Sequence, residues 1–377
     1  MRILTLIHEF PPIGGGGGRA AQDTCLQLAK RGHKVIVLTA HMRGLPLRED
    51  KDGLTVFRIR SFRTQFFGAS FWTMSAFVLA GLWAGLRLII QHRPDVIHAH
   101  FAVPGGALAF ALSVLTGIPY VLTAHLGDVP GGVPEKTDQW FRWVLSFTYA
   151  IWSRACHVVA VSEHTRQLAL RHYPVEIKVI PNGADLEHLA PAEIKINQPP
   201  RLVFAGRFVE QKNPLTIVRV LARLKDLEWR CAMLGDGSLM EEARREIKTA
   251  ALEDRFDLPG WVTPEEVLDW FSKSDILFMP SHSEGLPVVG VQALAKGLAI
   301  VASNIGGFLD LVDVGRNGSL IDVQDLATFE QALHQLISDH DLLLYYRRTS
   351  LEKAAHFNIN RIAEQYETIF QDTVHER

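Results

Sequence analysis

Residues 3–39, ILTLIHEFPPIGGGGGRAAQDTCLQLAKRGHKVIVLT, read as a strand, a helix and a second strand. ILTLI and KVIVLT are short apolar runs, β-branched enough to be strands buried on both faces. Between them Ala21, Cys25, Leu28 and Ala29 fall on one helical face, and Gly32 closes the helix. The alternation continues through DVIHAH (95–100), YVLTAH (120–125) and HVVAV (157–161). A second set, RLVFAG (201–206), WRCAMLG (229–235), DILFMP (275–280) and LAIVAS (298–303), leads each time into a helical segment. Strands alternating with helices build parallel sheets, so two doubly wound α/β domains are expected. The join is expected at residues 181–200, PNGADLEHLAPAEIKINQPP, where prolines and polar residues interrupt the pattern. Internal repeats and low-complexity tracts are otherwise absent.

The composition fits that architecture. A chain of 377 residues, 47% hydrophobic with net charge −2, can bury large cores. There is no basic tail or charge run, and the pI of 6.8 gives no electrostatic footprint for nucleic acid. Cys25, Cys156 and Cys231 are odd in number and far apart, which favours a reducing compartment over a disulfide framework. The short apolar run after Arg2 meets the polar, proline-bearing His8-Glu9-Phe10-Pro11-Pro12, so it reads as a first strand and not a signal peptide.

In open α/β sheets ligands bind beyond the carboxyl ends of the strands. That rule puts Gly14 to Gly18, His98, His100, His125 and Arg207 on ligand-facing edges. The densest cluster is EGLPVVGVQALAKG (284–297) with AGRFVEQKN (205–213) upstream. Here an acid, Glu284, precedes a helix start near Leu286, with Pro287 suited to the first turn. Arg207 offers a fork of donors and Lys212 a point charge, while a helix start aims free N–H groups at phosphates. These groups suit a sugar carried on a diphosphate, whose departure gathers negative charge. The alternative is that Arg207 and Lys212 are a solvated charge pair at a strand mouth.

The five glycines let the backbone approach a phosphate or sugar closely. A dinucleotide-binding GxGxxA begins at Gly15, but the next strand ends VLTAH without the ribose-binding acid. A flexible surface loop is the other reading of the run. His98 and His100 share one face of a strand, with His125 and Asp128 following the next strand, a pattern open to a metal or to structural hydrogen bonding.

Taken in order, the glycine-rich first loop, HAHFAVPGG, LTAHLGD, VSEHT, IPNGAD, GRFVEQKN, LGDGS, SEGLPVVGVQALAKG and IGGFLDLV resemble family 4 glycosyltransferases along essentially the whole chain. The resemblance implies a GT-B fold, two Rossmann-like doubly wound parallel-sheet domains facing a central cleft. Its expected divisions are an acceptor-side domain (1–180), a linker (181–200), a nucleotide-sugar donor domain (201–357) and a helix (358–377) crossing back to the first domain. It implies glycosyl transfer with retention of configuration by a front-face route, with no metal and no cofactor. Arg207 and Lys212 match the diphosphate-binding pair, Glu284 the acid on the donor sugar's hydroxyls, and His125 the group beside the anomeric carbon. Gly16 and Gly17 match the loop that closes on the phosphates, and Gly285, Leu286, Pro287 and Val288 complete the donor-binding segment. Closure about the linker would exclude water. The expected donor is a nucleotide diphosphate hexose, UDP first among the nucleotides. Where the family's second glutamate holds the ribose hydroxyls, this chain has Gln292, which still accepts and donates hydrogen bonds but loses a charge-assisted one. Asp310 stands where glutamate is common.

Residues 66–86 carry no charge, and Trp72 and Trp83 punctuate them before Arg87. A buried helix, a helix lying on a membrane and a true span all suit this stretch. Trp140, Phe141, Trp143, Phe147 and Trp152, beside Arg142 and Arg154, suit either core or an anionic lipid surface. Membrane contact through 66–90 or 139–155 would make a lipid-linked sugar the acceptor, as in surface polysaccharide or glycolipid synthesis. The enzyme would then be cytoplasmic, peripheral at the inner face of the plasma membrane. Competing functions are a nucleotide-sugar epimerase or hydrolase, a metal-dependent hydrolase using the histidines, and a non-catalytic nucleotide-sugar binding protein.

Overall fold

The computed structural model describes residues 1–66, 69–132 and 147–375. The chain divides into two compact units, Met1–Gly183 with Ile359–Arg377, and Ala184–Asn358.

The first unit holds β1 (Arg2–Leu6), β2 (Lys34–His41), β3 (Arg48–Lys51), β4 (Leu54–Arg60), β5 (Val96–His100), β6 (Tyr120–Ala124), β7 (His157–Ala160) and β8 (Ile177–Val179). They form one sheet in the order β3-β4-β2-β1-β5-β6-β7-β8, parallel except for the antiparallel β3–β4 pair at the edge. Period-two alternation splits its residues between two cores. Leu4, Leu6, Ile36, Leu38 and Ile97 pack on one face, and Ile3, Ile7, Val35, Val37 and Val96 on the other. Helix Gly16–Lys30 contributes Ala21, Cys25 and Leu28 to the second face, and Gly32 leaves it at φ +89. Helix Ile359–His375 covers the same face with Ile362, Tyr366, Ile369 and Phe370, and its Glu367 pairs with Arg31 at 2.8 Å.

On the opposite face, helix Phe71–His92 packs through Gly81 and Gly85 against Leu108 and Leu112 of helix Ala107–Thr116. A β-carbon at either glycine would lie 2.5 or 2.6 Å from a leucine methyl. Trp72, Leu79, Trp83 and Ile90 form a stripe on the outer side of the 71–92 helix, with both tryptophans 79% exposed. By length and composition this helix is long and apolar enough to cross a membrane.

The second unit contains β9 (Arg201–Ala205), β10 (Arg230–Leu234), β11 (Phe256–Gly260), β12 (Ile276–Met279), β13 (Ala299–Ser303) and β14 (Gly318–Ile321). Their order, β11-β10-β9-β12-β13-β14, is fully parallel and reverses between β9 and β12, the topological switch of a doubly wound sheet. Part of the expected join is packed into this unit. Buried Asp275 accepts from Asn197 N at 3.2 Å and Arg201 N at 2.8 Å, and it pairs with Arg347.

Candidate functional site

In the second unit, four loops meet at the carboxyl ends of β9, β10, β12 and β13. After β9 the chain passes through Gly206 and Arg207 into a 3-10 turn, Glu210–Lys212. Asn213, at φ 50, then starts helix Pro214–Arg223. After β10, Gly235 and Gly237 lie directly on this segment. A β-carbon on Gly235 would be 2.0 Å from Gly206 O, and one on Gly237 2.5 Å from Phe208 O. Glu284 follows β12 on a loop, and its carboxylate meets Lys212 Nζ at 2.5 Å, with side chains 7% and 15% exposed. Lys212 is thus held in a sheltered ion pair with Glu284, while Arg207 beside it is half-buried.

Other contacts at this site were not anticipated. Gln211 Nε2 donates to Ser283 O at 3.1 Å while its Oε1 accepts from Arg207 at 3.4 Å, and His282 N donates to Gln211 O at 2.8 Å. Gln211 therefore ties the arginine-bearing loop to the glutamate-bearing one. After β13, Gly306 and Gly307 clamp the same loop, since a β-carbon on either would sit 1.8 Å from Glu284 O or Gly285 O. Paired glycines in IGGFLDLV were the available signal, but their partner lies about twenty positions upstream and sequence spacing does not reveal it. Helix Val288–Ala295 starts later than expected, with Pro287 as its N-cap instead of a first-turn residue. At ψ 120 Pro287 is extended, and its carbonyl accepts from Gly290 and Val291 at 2.9 and 3.2 Å. Gly285, Leu286 and Pro287 thus lead into the helix that Val288 opens, and Gln292, partly buried, follows in its second turn.

The first unit has its own cluster after β1, β5 and β6. Gly16 and Gly17 do not form a loop but open helix Gly16–Lys30, capped by Gly15. The helix has no acidic residue in its own first turn, but the Glu9 carboxylate stands at its N-terminus, where an anion is favoured by the helix dipole. Glu9 supports the run: Gly15 N reaches its carboxylate at 3.4 Å, and Arg63 pairs with it at 3.1 Å. Burial opposes ionisation of Glu9, but the fields of His8 and Arg63 with two hydrogen bonds outweigh it and lower its pKa. His125 stacks on Phe101 with ring centroids 4.3 Å apart, and a β-carbon on Gly17 would lie 3.3 Å from its Nδ1. Burial lowers the pKa of His125 to about 4, so the ring is neutral at pH 7.

His98 and His100 are core groups. His98 Nε2 is 2.9 Å from Thr123 Oγ1 and its ring packs on Tyr366 and Phe370, while His100 Nδ1 is 3.5 Å from His125 Nε2. Among the described residues no group of three or more His, Cys, Asp or Glu is arranged to hold a metal. Trp152 is fully buried and stacks on Tyr173 at 4.3 Å, so it offers nothing to a membrane. Phe147 is half exposed and Arg154 exposed, while Trp140, Phe141, Arg142 and Trp143 lie outside the described residues.

These two parallel-sheet units have the GT-B glycosyltransferase fold. Sucrose-phosphate synthase from Thermosynechococcus elongatus superposes over 100% of this chain and 99% of its own, with TM-score 0.85 at 21% identity. Family models for Glycosyltransferase Family 4 and Glycosyl transferases group 1 match residues 14–188 and 188–355. The chain is 30% identical over 266 residues to D-inositol 3-phosphate glycosyltransferase of Pseudarthrobacter chlorophenolicus, covering 66% of this chain and 63% of that protein, just under two thirds of its length. It is 25% identical over 307 residues to UDP-Gal:alpha-D-GlcNAc-diphosphoundecaprenol alpha-1,3-galactosyltransferase of Escherichia coli, covering 76% and 78%. The chain belongs to glycosyltransferase family 4, whose members move a sugar from a nucleotide-sugar donor to an acceptor.

Proposed function

We propose that the protein is a retaining hexosyltransferase that takes its sugar from a UDP-sugar and delivers it to a lipid-linked sugar at the inner face of the plasma membrane. The observation that carries the chemistry is the sheltered Lys212–Glu284 pair with Arg207 beside it at the switch point of the second sheet. As the bond from the anomeric carbon to the diphosphate breaks, charge gathers on the leaving oxygen. Arg207 and Lys212 neutralise it, and Lys212 has donors enough to keep Glu284 while it does so. Glu284 accepts from the sugar's hydroxyls and fixes the ring. The acceptor oxygen bonds to the anomeric carbon from the same face, and its proton passes to the departing phosphate, so no separate base is required. His125, neutral, hydrogen-bonds beside the reacting carbon, and Gln292 holds the ribose without a charge.

Two observations support the acceptor and location. The Escherichia coli relative's name specifies UDP-Gal as donor and a diphosphoundecaprenol-linked sugar as acceptor. The exposed stripe of Trp72, Leu79, Trp83 and Ile90, flanked by Arg87 and Arg93, has the composition of a helix that lies on an anionic bilayer.

A panel of UDP-, GDP- and ADP-sugars, followed by nucleoside diphosphate release with and without lipid-linked acceptors, tests the reading. Release from a UDP-hexose that an acceptor accelerates is expected. Arg207→Ala and Glu284→Ala should each lower kcat/KM by about a hundredfold or more, the cost of one preorganised group. Tight donor binding without release under any acceptor would make the protein a nucleotide-sugar binding module instead.

A further inference from the structure

Asp128 is the last residue of a single 3-10 turn, Leu126–Asp128, yet its carboxylate is buried and held by backbone N–H groups from two loops. Oδ1 accepts from Ala102 N at 2.8 Å, beyond β5, and Oδ2 accepts from His125 N at 2.8 Å, beyond β6. Val103 N–H faces the same carboxylate. Between these anchors Phe101 is held at φ 66, a conformation that costs a non-glycine residue energy. Its ring is stacked on His125 and lies 2.8 Å from where a Gly17 β-carbon would be. One anion thus fixes the backbone of His125 and, through Ala102, the strained residue that supports its ring.

We infer that Asp128 is the positioning residue for His125, locking the loops after β5 and β6 so that the imidazole and Phe101 face the start of the glycine helix. The inference rests on the reading of His125 as the group beside the reacting carbon. An aspartate is required because every partner is a donor. An asparagine of the same shape turns an NH2 group toward one of those N–H groups, leaving a buried donor facing a donor.

Protonation should act in the same direction as that substitution. Burial outweighs the three N–H bonds and pushes the Asp128 carboxyl up to about 7. The titratable groups around this cluster are His125, His100 and His98, with Glu9 and His8 on the β1 side and the Tyr173 hydroxyl near Asp128. His125 and His98 titrate at about 4 and about 3, and His100 well below the ordinary range, so Asp128 is the member of the set that changes charge near neutrality. As pH falls through about 7 one carboxylate oxygen becomes a donor and the lock weakens.

The test compares the unmodified protein, Asp128→Asn and His125→Ala in UDP release from UDP-galactose and UDP-glucose between pH 5.5 and 8.5. Asp128→Asn is expected to lower kcat about tenfold or more with donor KM within about twofold, since a misplacement near 1 Å costs about a hundredfold. The unmodified protein should lose kcat on the acid side near pH 7, and the asparagine variant should not. Unchanged kcat, or the same acid limb in both proteins, overturns the inference. Unchanged kcat in His125→Ala as well would overturn it together with the reading of His125 on which it rests. If Asp128→Asn does not fold, the acid limb of the unmodified protein decides. If no donor turns over, the proposed activity has failed, and the imidazole 15N resonances of His125 decide separately. They should move as Asp128 titrates near pH 7, and fixed resonances overturn the inference.

Discussion

Gly17 and Gly15 stand two positions apart in a run of five glycines but have opposite surroundings. A β-carbon on Gly17 would lie 2.8 Å from Phe101 Cζ, within the stack that supports His125, whereas one on Gly15 would meet nothing within 4 Å. Gly15 also has an ordinary extended backbone, φ −110. Gly17→Ala should therefore lower kcat/KM about tenfold or more by pushing Phe101 and His125 aside. Stability should hold, because alanine is favoured over glycine inside a helix by about 1 kcal/mol, which offsets the local crowding. Gly15→Ala should keep kcat/KM within about twofold. Steady-state rates together with thermal melts decide this, and equal rates in the two variants would count against the placement of His125. The sequence marks the run as special but cannot rank its members, because the distinction comes from Phe101 and His125, which follow two other strands. Gln211 was illegible for the same reason: its value lies in touching both Arg207 and Ser283.

At the scale of elements, periodicity exposed the buried central strands and missed those at the edges. β3, REDK, is wholly polar and pairs only with β4, and β11 carries Pro259 on an edge where a missing N–H is tolerated. The uncharged run beginning at Phe66 gave the opposite difficulty, since composition alone suits core, interface and span. Glycines at 81 and 85 resolve one face by admitting Leu108 and Leu112 closely. The other face exposes Trp72 and Trp83, each 79% accessible, so removing their rings should leave the folded unit intact. The Trp72→Ser, Trp83→Ser double variant should melt within about 2 °C of the unmodified protein, as surface substitutions usually do. Its sedimentation with anionic phosphatidylglycerol vesicles should weaken at least about tenfold, because burying each ring in lipid is worth a few kcal/mol. Undiminished vesicle binding would remove this helix from the membrane reading.

At the scale of the molecule, the two units differ in what acid does to them. His8, His98, His100 and His125 are all buried in the first unit. Burial lowers the first two to about 4 and about 3, His125 to about 4, and His100 well below its ordinary value. The sequence placed His98 and His100 at a ligand-facing strand end, but their shared strand face is the one covered by Tyr366 and Phe370, some 270 residues later in the chain. A histidine whose folded pKa lies below its unfolded value of about 6.5 binds more protons unfolded, so stability falls as pH drops through 6.5 toward 4. Each such group costs about 1.4 kcal/mol per pH unit in that window. Asp128 opposes them: its raised pKa makes its own contribution more favourable as pH falls through about 7. Four groups against one leave the sign destabilising. In the second unit every described histidine, His188, His282, His334, His340 and His356, is exposed, and none is buried in the core. Amide hydrogen exchange at pH 7 and pH 5, corrected for intrinsic rates, should show β1, β5 and β6 losing protection while β9, β12 and β13 keep theirs. Equal loss in both sheets would mean that the buried histidines of the first unit do not govern the acid response.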